Sequence, residues 1–276
     1  MSFFAEFLEK LEDDKSKDLQ AFLEGKDDGV EEVPPLGPND RIRASSIWDF
    51  CARREAIRFE RKLTIREEIT GRLNRIFRFG RIFERYLRDT IFGGHGLLLG
   101  KWKCVSCDFI PETNAAGDRI YKQPTERCKC GAKAWTYSEV EKIDESTGVG
   151  GSNDGFLYWN NDYAILEVKT ANEWSYKSIV KKGQPSIAHI AQAQIYMYLH
   201  GYKRALVWYY NKNTSEQKSF WIEYDSGFVQ SLLDKARAYR EYHKTKKMPE
   251  RMCSDVRCPR AKDCPVKVIC FKEMPA

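Results

Sequence analysis

The sequence predicts an α/β or α+β domain, a central mixed β-sheet flanked by helices. Three observations predict it. Helical periodicity fills the chain before residue 100, a run of short β-rich segments occupies its middle, and a long amphipathic segment follows them. At 276 residues the chain holds one large domain or a core with a small insert, and a 42% hydrophobic share is enough for a sizeable core.

Taken in order, Phe3, Phe4, Phe7, Leu8 and Leu11 recur at helical spacing, so one or two short amphipathic helices are expected over residues 3–24. "EGKDDGVEEVPPLGPND" then breaks the pattern as an extended or irregular linker, and residues 1–40 form an acidic N-terminal segment before the core. From Ser45 a helix is expected through Ile47, Trp48, Cys51 and Ile57, with Ser as its start signal. In "NRIFRFGRIFERYLRDTIF" the apolar residues Ile76, Phe79 (or Gly80), Phe83 and Leu87 make a second stripe, with arginines on the other faces.

Residues 101–137 are rich in Lys, Cys and turn formers and read as an insertion. "WTYSEVEKID", "VGGSNDGFLYWN" and "DYAILEVKT" are strands, the last two joined through Asn160 and Asn161. "IAHIAQAQIYMYLHGY" is a helix closed by Gly201; "RALVWYYNK" and "KSFWIEYD" are two more strands; "GFVQSLLDKARAYREYHK" is the long final helix. The core is therefore expected at 41–100 and 138–250, with a cysteine-rich tail at 251–276.

Alternate residues of a strand share a face, so Glu167 and Lys169 point one way while Leu166 and Val168 point into packing. The hairpin brings Asp154 alongside. Two carboxylates with the Val168 carbonyl make a minimal cradle for a hard divalent ion, Mg²⁺ or Mn²⁺. Lys169 beside it can orient an attacking water and offset charge at a phosphoryl group. An exposed surface ion pair is the plainer alternative for this spacing.

These residues resemble the PD-(D/E)XK nucleases, in particular the RecB-type branch that includes CRISPR-associated exonucleases and phage or mitochondrial relatives. "GGSNDGF" is similar to that family's G-x-x-D stretch, "ILEVKT" to its E-x-K strand, and "AQAQIYMYLHG" to its Q-x-x-x-Y helix through Gln192 and Tyr196. The resemblance spans roughly residues 45–90 and 150–270. It implies a restriction-endonuclease-like fold, a metal-dependent deoxyribonuclease, Gln192 ordering the lysine or water, and Tyr196 contacting the DNA backbone. "GRIFERYLRD" is similar to the family helix that brings a His or Glu to the site. Here that residue is Glu84, where many relatives carry His, and a surface pairing with Arg81 or Arg88 is its alternative.

Nine cysteines are too many for a reducing compartment to leave without a role, and an odd number cannot all pair. "CVSC" at Cys104 and Cys107 with "CKCG" at Cys128 and Cys130 has the knuckle form of a zinc ribbon, Gly131 freeing the second turn. The family resemblance implies a 4Fe-4S cluster on Cys51 with three of the last four cysteines. Cys258, Cys264 and Cys270 are the favoured three with Cys253 as the other candidate, so which cysteine is spare stays open, and a second zinc on the C-terminal four is the alternative.

Between Arg41 and Thr90 fourteen Arg or Lys face seven Asp or Glu, and Lys177, Lys181, Lys182, Lys244, Lys246 and Lys247 add later positive charge. This basic excess points to DNA, single-stranded or with free ends, as the partner. Trp174 and Tyr176 are candidates for stacking on unpaired bases. Of four scattered histidines only His189, one turn before Gln192, is placed to matter. No stretch is long and apolar enough for a membrane span, and the N-terminus lacks a basic start, so a cytoplasmic location is expected. The functional expectation is an exonuclease acting in recombination, repair or replication. Its alternatives are a non-catalytic zinc or iron–sulfur nucleic-acid-binding protein, and an adaptor that needs a protein partner.

Overall fold

The computed structural model describes residues 29–113, 117 and 119–273. The helices expected over 3–24 lie outside the described residues. In chain order the strands are β1 (Gly29–Val33), β2 (Ile42–Arg43), β3 (Ile65–Ile69), β4 (Leu98–Leu99), β5 (Lys101–Cys104), β6 (Trp135–Ser138), β7 (Val140–Asp144), β8 (Val149–Asn153), β9 (Gly155–Trp159), β10 (Asp162–Ala171), β11 (Arg204–Asn211) and β12 (Gln217–Glu223). The helices are α1 (Ala52–Glu60), α2 (Gly71–Leu87), α3 (Glu173–Lys182), α4 (Ile187–His200), α5 (Ser226–Thr245) and α6 (Pro259–Lys262).

The main sheet has the order β12-β11-β10-β9-β4 and is mixed, because β10 and β11 run parallel while every other pair is antiparallel. The parallel pair requires a crossover, which α3 and α4 supply. Alternation along β10 and β11 gives the sheet two cores. Ile165, Ala205, Val207 and Tyr209 pack with α4 and α5 on one face. Leu166, Val168, Leu206 and Trp208 pack with Phe92, Leu98 and Trp102 on the other.

A second sheet, β2-β8-β7, shares a strand path with the first. Residues 149–159, expected as one strand, are two: β8 ends at Asn153, β9 begins at Gly155, and Asp154 stands at the switch between sheets. Gly155 is required there, since a Cβ would lie 2.3 Å from Leu98 Cδ1. The hairpin through Asn160 and Asn161 forms as expected, both residues at positive φ (50° and 60°), which suits a two-residue turn.

Several expected boundaries move. Within the linker, Gly29–Val33 is a strand paired antiparallel with Ile65–Ile69, so the chain joins the fold before Asp40. The helix expected from Ser45 starts at Ala52: residues 44–46 make a single 3₁₀ turn, Lys235 Nζ takes the Trp48 carbonyl (2.9 Å), and the Cys51 thiol caps α1 at Arg54 N–H. "WTYSEVEKID" splits at Glu139 into strands of two different sheets. Along α2, Leu87 is buried, but Ile76 and Phe79 are exposed, so the second apolar stripe is only partly a core stripe. The C-terminal segment closes on α1, where Ile57, Val266 and Cys270 form a small third core.

Candidate active site and thiol clusters

The β9–β10 ladder ends at the pair Gly155–Leu166, and one residue further Asp154 replaces it with a side chain: Val168 N–H donates to Asp154 Oδ2 at 2.7 Å. A strand residue turns its N–H and C=O toward the same neighbour. The Val168 carbonyl therefore points past the end of the β9 ladder, on the Asp154 side, where no strand takes it.

Glu167 and Lys169 share the α4 face of the sheet and form an ion pair. Glu167 is 1% exposed; its Oε1 is held by the Lys169 ammonium, and its Oε2 has no hydrogen-bond partner. Burial, reinforced by the Asp154 charge, pushes its carboxyl up to about 8, with Lys169 opposing. Burial pulls the Lys169 ammonium down, but the Glu167 and Asp154 carboxylates outweigh that and hold it above its ordinary value. A buried carboxylate with one oxygen left without a donor has an unmet polar need, and a hard divalent cation meets it. Asp154, Glu167 and the Val168 carbonyl thus fit such an ion by donor chemistry.

Glu84 reaches this strand end from α2: its Oε1 accepts from Thr170 N (2.9 Å) and Thr170 Oγ1 (3.0 Å). Burial raises its carboxyl, with Lys169 opposing and Asp154 adding. The pairing with Arg88 that the sequence allowed does not form, because Arg88 pairs with Asp89 (2.7 Å) and Glu139 (3.1 Å). The carboxylates of Glu84, Asp154 and Glu167 do not draw within 4.8 Å of one another; among the described residues only four cysteines do so.

From α4, Gln192 and Tyr196 point at the same place. Tyr196 is 3% exposed and its hydroxyl abuts Gly151, where a Cβ would come within 3.0 Å. Burial and the Glu167 charge raise it, and Gln192 contacts it. Tyr196 is thus a buried neighbour of the acidic cluster. His189, on the next turn, holds its Nδ1 2.6 Å from the Tyr209 hydroxyl, and burial with nearby Lys169 pushes it down to about 4.

Sequence reasoning missed Arg88. It is 2% exposed, lies over the Tyr137 ring at 4.4 Å and directs Nη1 at the Asp154 carbonyl (3.5 Å). No local signal separates it from its neighbouring arginines. Arg53 and Arg58 are likewise buried, Arg53 on the Pro249 carbonyl and Arg58 on Glu55 and the Val33 and Pro34 carbonyls. Those three leave the basic excess expected between Arg41 and Thr90, which keeps the exposed Arg61, Lys62 and Arg66 together with the exposed arginines of α2. Tyr176 is core, while Trp174 is 82% exposed.

The ribbon thiols converge. Cys104 and Cys130 are 3.6 Å apart, as are Cys107 and Cys128, and all four lie within 4.8 Å. Thiolates about 2.3 Å from one tetrahedral ion stand roughly 3.8 Å apart, so the set fits a single metal. Gly131 (φ 90°) supplies the left-handed turn after the C-x-C. In the other group, burial raises the Cys253 thiol, with Cys258, Cys51 and Cys264 adding, and burial raises Cys264, with Cys51 and Cys270 adding. No three of them close to 4.8 Å. Cys253 stands with Cys258 instead of apart from the set.

No protein-family model matches the sequence, and no curated protein matches it. Solved structures do. An alkaline exonuclease (LHK-Exo) from Laribacter hongkongensis is 19% identical, with 75% of this chain and 92% of that chain covered and a TM-score of 0.44. The same enzyme in complex with dAMP gives 18%, 76%, 94% and 0.47. A phage-related exonuclease from Haemophilus somnus 129PT gives 9%, 75%, 96% and 0.33. The chain is thus similar in structure to alkaline and phage-related exonucleases. With every TM-score below 0.5, that likeness fixes neither the site nor its chemistry, which stand on the strand ends described above.

Proposed function

We propose that the chain is a divalent-metal-dependent deoxyribonuclease that hydrolyses phosphodiesters of single-stranded DNA or DNA ends. The observation that carries this reading is the buried Glu167 carboxylate, paired through Oε1 with Lys169 and open at Oε2, beside Asp154. Asp154, Glu167 and the Val168 carbonyl would hold Mg²⁺ or Mn²⁺, which when bound lowers the pKa of water and offsets charge on phosphoryl oxygens. Lys169 orients the attacking water and stabilises negative charge developing at the phosphate. Gln192 and Tyr196 keep the Lys169 and Glu167 side chains in place, and Glu84 anchors α2 to the strand that carries them. Asp154 is itself aligned by Val168 N–H and by Arg88 behind its backbone.

In the same reading Cys104, Cys107, Cys128 and Cys130 hold Zn²⁺ and stabilise the ribbon tip. Cys51 with Cys258, Cys264 and Cys270 holds a 4Fe-4S cluster that ties α1 to the C-terminal segment; a second Zn²⁺ is the competing occupant. Zinc and iron analysis with a visible absorption spectrum separates the two.

The decisive assay follows end-labelled single- and double-stranded DNA with Mn²⁺ or Mg²⁺, wild type beside Lys169→Ala. Cleavage by the wild type alone is the expected result. Wild-type protein that binds DNA in EDTA yet cuts nothing in either metal overturns the enzymatic reading.

A further inference from the structure

The outer side of α2 carries chemistry that the acidic cluster leaves unused. Arg72, Arg75, Arg78, Arg81 and Arg85 are all exposed, and the helix's one acid, Glu84, is turned in to Thr170. Between the arginines three rings stand in a column. Phe79 stacks on Phe83 (centroids 5.5 Å, planes 19° apart) and Phe83 on Tyr86 (6.5 Å, 12°). The middle ring is braced edge-on by Tyr210 of β11 at 5.4 Å. The end rings are open: Phe79 is 57% and Tyr86 60% exposed.

The column neighbours the strand end that Glu84 reaches: Phe83 packs on Tyr210, the register partner of Thr170, while the three rings stand beside the cleft that runs along α2. Gly80 and Glu84, one helical turn apart, face Thr170, and a cleft of about 730 Å³ runs along α2 from Leu73 and Phe77 past Gly80 to Glu84, Thr170 and Lys212. Exposed rings call for an apolar partner, whereas arginines every three or four residues would repel and desolvate against an ordinary apolar protein surface. One polymer offers flat apolar faces and a regular negative charge together, and it is a nucleic-acid strand. Only an unpaired strand has its base faces free.

We propose that the Phe79–Phe83–Tyr86 column is a stacking platform for unpaired bases of a single DNA strand, whose phosphates the α2 arginines hold. The bases extend the column at its exposed ends, and the strand is led along the cleft toward Thr170. The destination of the strand rests on the nuclease reading; its binding does not.

The test measures binding in EDTA, where cleavage plays no part. Fluorescence anisotropy compares an oligodeoxynucleotide of about twelve nucleotides with one of equal length and charge in which abasic sites replace the bases. The wild type is expected to prefer the base-bearing strand about tenfold or more. Phe79→Ala/Tyr86→Ala removes that preference, leaves abasic binding unchanged and, since both rings are exposed, leaves the melting temperature unchanged. Tyr86→Phe keeps the preference. Arg81→Gln weakens both strands alike and shallows the salt dependence. Equal wild-type affinity for the two strands overturns the proposal, as does a double variant that keeps the preference. So does self-association of the chain that the double substitution abolishes while no base preference exists. A base preference without cleavage in Mn²⁺ sinks the nuclease reading and supports the platform; cleavage without the preference does the reverse.

Discussion

Glu167 and Lys169 stand on a strand held between two cores, and Asp154 at the switch between β8 and β9 is tied to that strand by Val168 N–H. The four ribbon thiols stand at the tip of a two-stranded pair whose base, Trp102, Tyr121 and Tyr137, is packed but whose outer residues Val105, Cys107 and Cys130 are exposed. One site stores unmet charge in a rigid frame. The other has a frame only as firm as the bond that closes it. Under the proposed reading the carboxylate site would exchange its ion during use, whereas an ion on the four thiols would be a structural part.

The largest effect that sharpens this contrast is removal of the ribbon metal, because a structural thiolate site contributes on the order of 10 kcal/mol. A thiol-competing chelator is expected to open residues 104–132 to proteolysis, read by mass spectrometry, while the main melting transition persists. Loss of the whole fold with the metal would break the distinction. Next, Glu167→Gln should lower Mn²⁺-supported cleavage about a thousandfold without changing zinc content or the far-ultraviolet spectrum.

Protonation comes third. His189 in the fold ionises only near pH 4, against about 6.5 in the unfolded chain, so the unfolded state takes up more protons between those values and stability falls as pH drops from 6.5 toward 4. His189→Gln should flatten that acid slope by roughly 1–2 kcal/mol, allowing for partial exposure, in urea melts across the window. Glu167 works in the opposite sense: its raised pKa favours the fold in acid, and that contribution is lost as pH rises from about 4.3 toward 8. The smallest effect is Gly151→Ala. Its Cβ would press on the Tyr196 hydroxyl at 3.0 Å, costing about 1 kcal/mol in the same melts and leaving the ribbon untouched.

The acidic pair, the lysine and the ribbon cysteines were legible because each depends on short spacing. Glu167 and Lys169 share a face by strand alternation, and a tight asparagine turn returns Asp154 to them. C-x₂-C and C-x-C knuckles are likewise local. Misplaced boundaries had distant causes: β1 pairs with a strand more than thirty residues on, and the start of α1 depends on Lys235 near the other end of the chain. Tyr176 and Trp174 differ by two residues and carry the same aromatic signal, yet one is core and the other bare.

By itself the sequence determined the mixed sheet, the hairpin, the helix end at Gly201, and which residue types could hold which ions. Periodicity, turn chemistry and ligand spacing act within a few residues and survive any packing. Tertiary structure alone decided that Asp154 marks a change of sheet, that Arg53, Arg58 and Arg88 serve the interior while the α2 arginines face water, and that three rings align in a column. Those outcomes follow from which surfaces meet, and burial of a charge is settled by partners far away in the chain.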